Sequence, residues 1–170
     1  MNRQKWIDHK FETGIDVNWQ LNVLCRVQDT AIRLEHHCKD LNNQQLSEIQ
    51  NDAWSIKEHI GHLVDLEELW NKRFLDFKEK KTELLSADMS NQKTKQAAHN
   101  EQSLDALLYN FKTQRENTLR IFNALTDDIK NHQVMHPRIK KTMRPIDLLF
   151  FIAEHDNHHI ASITRIKETF

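Results

Sequence analysis

Eleven histidines in 170 residues set the chemistry this chain can offer, because imidazole binds divalent transition metals and exchanges protons near neutral pH. Two of them, His155 and His159, stand four apart in the last amphipathic segment, where Leu148, Ile152, Ile163 and Ile166 define an apolar line. At 100° per residue all six fall within roughly 80° of one another. Both rings then aim at one point inside the fold, the arrangement that a helical HxxxH offers a metal ion. His158 is turned about 60° beyond the edge of that stripe. With this histidine content, chance alone supplies about 0.7 pairs at that spacing, so the pair is not diagnostic by itself. His132 and His136 share the spacing, yet they precede Pro137 in a stretch without periodicity and read as loop residues. A lone histidine on an apolar face is ordinarily a hydrogen-bonded core residue. Two in register are harder to bury, since each unpaired ring costs roughly 1 to 3 kcal/mol, and a shared cation offsets both.

Four helices must position these rings. The first spans about Val17 to Lys39, with Leu24, Val27, Ala31, Leu34 and Cys38 on one stripe. A second, at roughly 55 to 78, starts at a capping box of Ser55 and Glu58 and carries Ile56, Leu63, Trp70, Phe74 and Phe77 on its apolar face. The third, about Ser103 to Leu125, opens on a serine cap, and the fourth opens with Pro145 in its first turn. No segment alternates apolar and polar residues as a strand would. The expectation is an all-α fold, a four-helix bundle forming a single domain over 1–170. The polar stretch from Glu79 to Gln102 is far longer than the usual two to eight residues between bundle helices, so it is either disordered or a long crossover connection. As a crossover it leaves helices two and three parallel. The intervals 40–54 and 126–144 have room for short extra helices.

The second helix offers His59 near the middle of its apolar stripe and His62 at the margin, and periodicity leaves open which of them faces the fourth helix. The run WSIKEHIGHLVDLEELWNKRF from Trp54 to Phe74, with EHDNHHIASI about ninety residues beyond His62, resembles the DinB/YfiT-like superfamily of metalloenzymes over the whole chain. That resemblance implies three metal ligands. His62 opens the matching HLVD run, whereas His59 does not, and His155 and His159 are the first and last histidines of the HxxHH motif. It also implies a divalent ion, nickel or zinc, and a low-molecular-weight thiol such as bacillithiol or mycothiol, as in the thiol-dependent S-transferases and isomerase of the family. Other members are described as hydrolases. Three neutral imidazoles without a carboxylate ligand leave coordination positions open, as catalytic sites do. Ligating histidines usually donate their other N–H to a carboxylate or carbonyl. Asp65, Glu67, Glu154 and Asp156 are the nearest acids, none of them assigned, and Asp156 reads as a solvated charge. With no general base identified, the alternative is a metal-binding or structural bundle without turnover.

Composition narrows the partners. Two glycines and two prolines argue against sandwiches, barrels and phosphate-binding loops. Twenty-four Lys and Arg against 25 Asp and Glu give a net charge of −1, which offers no field for nucleic acid. The longest apolar run is the six residues from Leu148 to Ala153, too short for a membrane span, and the N-terminus carries no signal-peptide core, so a cytoplasmic protein is expected. Cys25 and Cys38 form no CxxC. The expected partner is a small-molecule substrate. Apolar residues off the main stripes, such as Leu69 and Leu108, suggest a homodimer.

Overall fold

Local signals start the long helices where the sequence places them. In the computed structural model, which describes residues 4–49 and 54–170, Ser55 Oγ accepts from the Glu58 amide at 3.1 Å while Glu58 Oε2 accepts from the Ser55 amide at 2.8 Å. Ser103 accepts from the Ala106 amide in the same way, and Pro145 occupies a first turn where no N–H is needed. The helices are α1 (Gln20–Gln28), α2 (Thr30–Cys38), α3 (Asn43–Ser47), α4 (Ile56–Lys78), α5 (Gln92–Gln96), α6 (Leu104–Asn123), α7 (Asp127–Asn131) and α8 (Pro145–Lys167). The expected first helix is thus divided at Asp29. There the Thr30 hydroxyl lies 3.2 Å from the Arg26 carbonyl, a back-bond that disturbs helical pairing. The short helices α3 and α7 fill the intervals left for them, and 50–53 lie outside the described residues.

Cross-helix pairs give the directions. Glu67 meets Arg115, Asn71 meets Thr118 and Phe74 meets Phe122, so α4 and α6 run parallel. Arg26 meets Glu154, Thr30 meets Asp156 and Arg33 meets Asn157, so the first helical stretch runs parallel to α8. By contrast Trp70 touches Phe151 while His62 touches His159, which makes α4 and α8 antiparallel. The parallel α4 and α6 require the crossover, and 79–103 supplies it as ordered chain containing α5 and a 3-10 turn at His99–Glu101. Its start is pinned by the Leu84 amide on the Met135 carbonyl at 2.9 Å and by the Leu85 amide on Asp76 at 2.7 Å. One expectation needs correction: β1 (Val134–Met135) pairs antiparallel with β2 (Thr142–Met143). Two residues per strand are too few for alternation to register in the sequence.

Along the bundle the interior has three layers. One apolar cluster holds Val23, Val27, Trp70, Phe74, Phe122 and Ile152, and the other holds Leu34, Ile56, Leu63, Phe111, Ile160 and Ile163. Every long helical stretch passes from one cluster to the other through a buried polar level that carries Thr30, Glu67, Arg115, Thr118 and Asp156. Arg115 is the hub. Its Nε donates to Glu67 at 2.8 Å, and its two terminal nitrogens lie 2.6 and 3.1 Å from the carboxylate of Asp156. The guanidinium also reaches the Val27 carbonyl at 3.0 Å and packs over Phe111. Asp156, read from the sequence as solvated, is 0% exposed. The angle that points it away from the apolar stripe points it at Arg115, which the pattern of α8 alone cannot reveal. Leu69 and Leu108, the apolar residues off the stripes, are half-buried against the two clusters.

Burial acts against the charged form of Arg115, but Asp156 and Glu67 together hold its pKa above the ordinary value, while burial raises the pKa of Glu67 against the opposing pull of Arg115. Removing the cation strands two buried carboxylates. Arg115→Met is expected to lower unfolding free energy by about 3 to 5 kcal/mol in urea titrations. Adding Glu67→Gln and Asp156→Asn should recover a large part of that loss. A single substitution costing under about 1 kcal/mol would show that the carboxylates do not depend on Arg115.

Candidate metal centre

The polar level continues toward one face of the bundle, between α4 and α8, as histidines. His62, His155 and His159 are each 5% exposed, and each offers a ring nitrogen within 4.8 Å of the other two. The Nε2 atoms of His155 and His159 lie 3.2 Å apart. Two imidazoles bound to one ion at about 2.0 to 2.1 Å have their nitrogens about 3.0 to 3.4 Å apart, so the pair is already spaced as ligands are. His155 Nδ1 is buried with no hydrogen-bond partner among the described residues.

Hydrogen bonds set the tautomer of His62. Thr94 Oγ1 donates to Asp65 Oδ2 at 2.9 Å, which uses its only proton, so at 3.0 Å from His62 Nδ1 it acts as acceptor. His62 therefore carries its proton on Nδ1 and keeps a lone pair on Nε2. Asp65 is steadied from the other side by His99 Nε2 at 2.9 Å, and His99 Nδ1 in turn lies 3.3 Å from Gln102 Nε2. Gly61 makes room for this relay, because a Cβ there would overlap the His99 ring. His59, which periodicity left open beside His62, stands behind the cluster instead, with its Nδ1 2.9 Å from His159 Nδ1. If His159 binds an ion through Nε2, the proton of this contact belongs to His159 Nδ1 and His59 accepts it. Each of these arrangements is the outer support that metal-binding imidazoles ordinarily have.

The rings are neutral. Burial lowers the pKa of His62 to about 4, against an opposing pull from Asp65. Burial and then the neighbouring histidines hold His155 and His159 well below the usual range. Neutral imidazole is the ligating form. A His-rich site able to coordinate a divalent ion is thus present.

Over it opens a cavity of about 810 Å³, large enough for a small organic molecule. Trp54 stacks on His159 at 5.9 Å, while Trp70 and Trp6 present edges to His155 at 5.9 and 5.0 Å. Trp54 and Trp70 look like ordinary packing residues in the sequence, and both line this cavity. Ser86 to Met89 of the crossover form part of its rim. The N-terminal segment reaches the cavity because Asp147 Oδ1 accepts the amides of Gly14 and Ile15 at 2.7 and 2.8 Å, and Phe11 and Trp6 then pack on Phe151. His136, read as a loop residue, is 1% exposed and also lines the cavity. Periodicity gives no sign of Thr94 and His99, because they lie in the aperiodic crossover. Their only sequence signal was the acidic residue of HLVD, which has to be paired with something. Cys38 is no competing nucleophile, since burial pushes its thiol up to about 11.

Comparisons with known proteins agree on the fold. YfiT from Bacillus subtilis, described as a probable metal-dependent hydrolase with an unusual four-helix bundle topology, has a TM-score of 0.82 to this chain at 17% identity, covering 95% of this chain and 93% of that one. A mycothiol-dependent maleylpyruvate isomerase has a TM-score of 0.66 at 11% identity over 84% of this chain, which matches only 59% of that longer protein. At such identities the likeness is one of fold. No curated protein matches by sequence. No helix among the described residues is long and apolar enough to cross a membrane. The DinB superfamily model matches residues 27–163, most of the sequence, and the chain belongs to that superfamily.

Proposed function

We propose that the protein is a metal-dependent enzyme in which His62, His155 and His159 hold one divalent ion, nickel or zinc, beneath the cavity. The observation that carries this reading is the meeting of three buried, neutral imidazole nitrogens within 4.8 Å at the floor of an open pocket. Three nitrogen ligands suit late first-row metals and leave positions open to a reactant. When bound there, the ion supplies a Lewis acid that lets a thiol or a water lose its proton near neutral pH. The products would be those of an S-transferase or a hydrolase. The descriptions of YfiT and of the mycothiol-dependent isomerase support these two versions.

The chain's own residues supply the rest. Thr94 and Asp65 hold the His62 ring in the tautomer that presents Nε2, and His59 does the same for His159. Trp6, Trp54 and Trp70 screen the histidines from solvent and leave the entrance apolar, which strengthens electrostatic interactions inside. The reactant enters between the crossover rim and α8.

Elemental analysis should find about one equivalent of divalent metal after loading. His62→Ala and His159→Ala should lose it, whereas His36→Ala, on an exposed turn of α2, should keep it. Equal content in all four proteins would remove the site. The loaded protein should conjugate a model electrophile with a small thiol or cleave a model ester. Metal binding without either activity, together with unfolding tens of degrees lower on chelation, would favour a bundle whose ion serves structure alone.

Thr94→Val takes away the acceptor of His62 Nδ1 while nearly preserving shape. Metal affinity, measured by chelator competition, should fall about 10- to 100-fold. Unchanged affinity would show that the relay does not support His62.

In the metal-free protein the sign of the pH effect follows from the lowered histidine pKa values. Unfolded histidines take up protons near about 6.5, whereas His62 waits until about 4 and His136 until about 3. The unfolded state therefore binds more protons in that window, and stability should decline steadily as pH falls from about 6.5 toward 4. Thermal melts of chelated protein that stay flat across this range would contradict it.

A further inference from the structure

The cavity has a second polar wall, apart from the three histidines, formed by Arg73, His136 and Arg138. His136 Nδ1 accepts from the main-chain amides of Arg138 and Ile139 at 3.2 and 3.4 Å, which places the proton of the neutral ring on Nε2. That Nε2 lies 3.2 Å from Nη1 of Arg73, and a guanidinium has donors only. Two donors therefore face each other. Arg138 adds a third, since its Nη2 is buried with no hydrogen-bond partner among the described residues. Its guanidinium is seated instead on the rings of Trp6, Phe11 and Phe151 at 5.8 to 5.9 Å.

The charges of this wall are also poorly matched. Burial and then Arg138 lower the pKa of Arg73 to about 10 against a smaller opposing pull from Asp76, and burial followed by both guanidiniums holds His136 at about 3. The nearby carboxylates are engaged elsewhere. Asp76 accepts from Lys81 and the Leu85 amide, and Asp88, on the cavity rim, accepts from Ser90 and the Gln92 amide. Arg73 commits only Nε to a main-chain acceptor, the Leu85 carbonyl at 2.9 Å. Facing donors and incompletely compensated positive charge are both satisfied by one ligand group, a planar anion with two acceptor oxygens, which a guanidinium fork matches in geometry.

We propose that Arg73, Arg138 and His136 form a carboxylate-binding subsite, so that a molecule in the cavity is an organic acid held at this wall with its reactive end toward the histidines. The orientation rests on the metal-site reading above, whereas the subsite itself does not. Aromatic rings separate the two ends. Arg73 lies 5.3 Å from the Trp70 ring, which in turn lies 5.9 Å from His155, and Trp6 bridges Arg138 to His155 in the same manner. A short apolar or aromatic spacer therefore suits the gap.

The test uses 3-phenylpropionate, its neutral amide and phenyl phosphate, with binding followed by quenching of tryptophan fluorescence in zinc-loaded and in chelated protein. The acid is expected to bind at least tenfold more tightly than the amide in both forms, and more tightly than the phosphate ester. Arg73→Gln and Arg138→Gln should each reduce the acid to the level of the amide while metal content stays at one equivalent. Equal binding of acid and amide by the wild-type protein overturns the subsite whether or not the variants fold. So does an acid preference that survives in both folded variants. Tighter binding of the phosphate ester overturns the carboxylate assignment. An acid preference that vanishes on chelation means the ion held the carboxylate, which overturns the subsite and leaves the metal site standing. If the wild-type protein takes up no metal yet keeps the preference, the metal reading fails and the subsite stands.

Discussion

The ion triad of Arg115 with Glu67 and Asp156 is the interaction on which the rest of the arrangement depends. It ties α6 to α4 and α8 at one level, and through Val27 and Thr30 it takes in the first helical stretch as well. Apolar contacts between helices tolerate sliding and rotation, because one leucine packs much like the next. A buried guanidinium with two carboxylates does not, since a shift of one turn leaves charges unpaired in a poorly polarisable interior. Asp156 is the immediate neighbour of His155, and Glu67 follows His62 by a little over one turn. Fixing the rotation of α4 and α8 at the triad therefore also fixes the direction of the histidines.

Placing the polar level between two apolar clusters has a further consequence. The histidines are far enough inside to stay neutral, yet the level reaches the face where α4 and α8 border the cavity, so they remain accessible to a small molecule. The parallel pair α4 and α6 makes this possible. Its crossover must travel back along the bundle, and on the way it delivers Thr94 and His99 to the outer side of His62 and lays Ser86 to Met89 along the rim. A short turn between antiparallel helices would provide neither.

The histidines of the chain divide by environment. His62, His155 and His159 bring ring nitrogens within 4.8 Å of one another, His59 and His99 serve as outer partners, and His136 is an N–H donor set among cations. The same side chain thus presents a basic nitrogen at the cavity floor and a proton on its far wall. For His62 and His136 the hydrogen bond made by the other ring nitrogen decides which it is.

Helix starts, apolar stripes and the HxxxH of α8 could be read from the sequence, because helical periodicity and capping are set by residues within a few positions of each other. The length of the stretch after α4 narrowed it to a disordered segment or a long crossover, and the folded chain decided for the crossover. Periodicity left the choice between His59 and His62 open, since both lie on or beside the same stripe, and there only the family resemblance of the HLVD run favoured His62. Asp156 reads as a solvated charge in the pattern of α8 because its partner is 41 residues away on α6. Thr94, His99 and the wall of Arg73, His136 and Arg138 come from aperiodic chain or from residues that look solvated in isolation, and only tertiary contact brings their donors and acceptors together. The sequence by itself determined which elements form and which rings share a face. The folded chain decided what each ring meets, because hydrogen bonding and charge pairing depend on distances that no local pattern encodes.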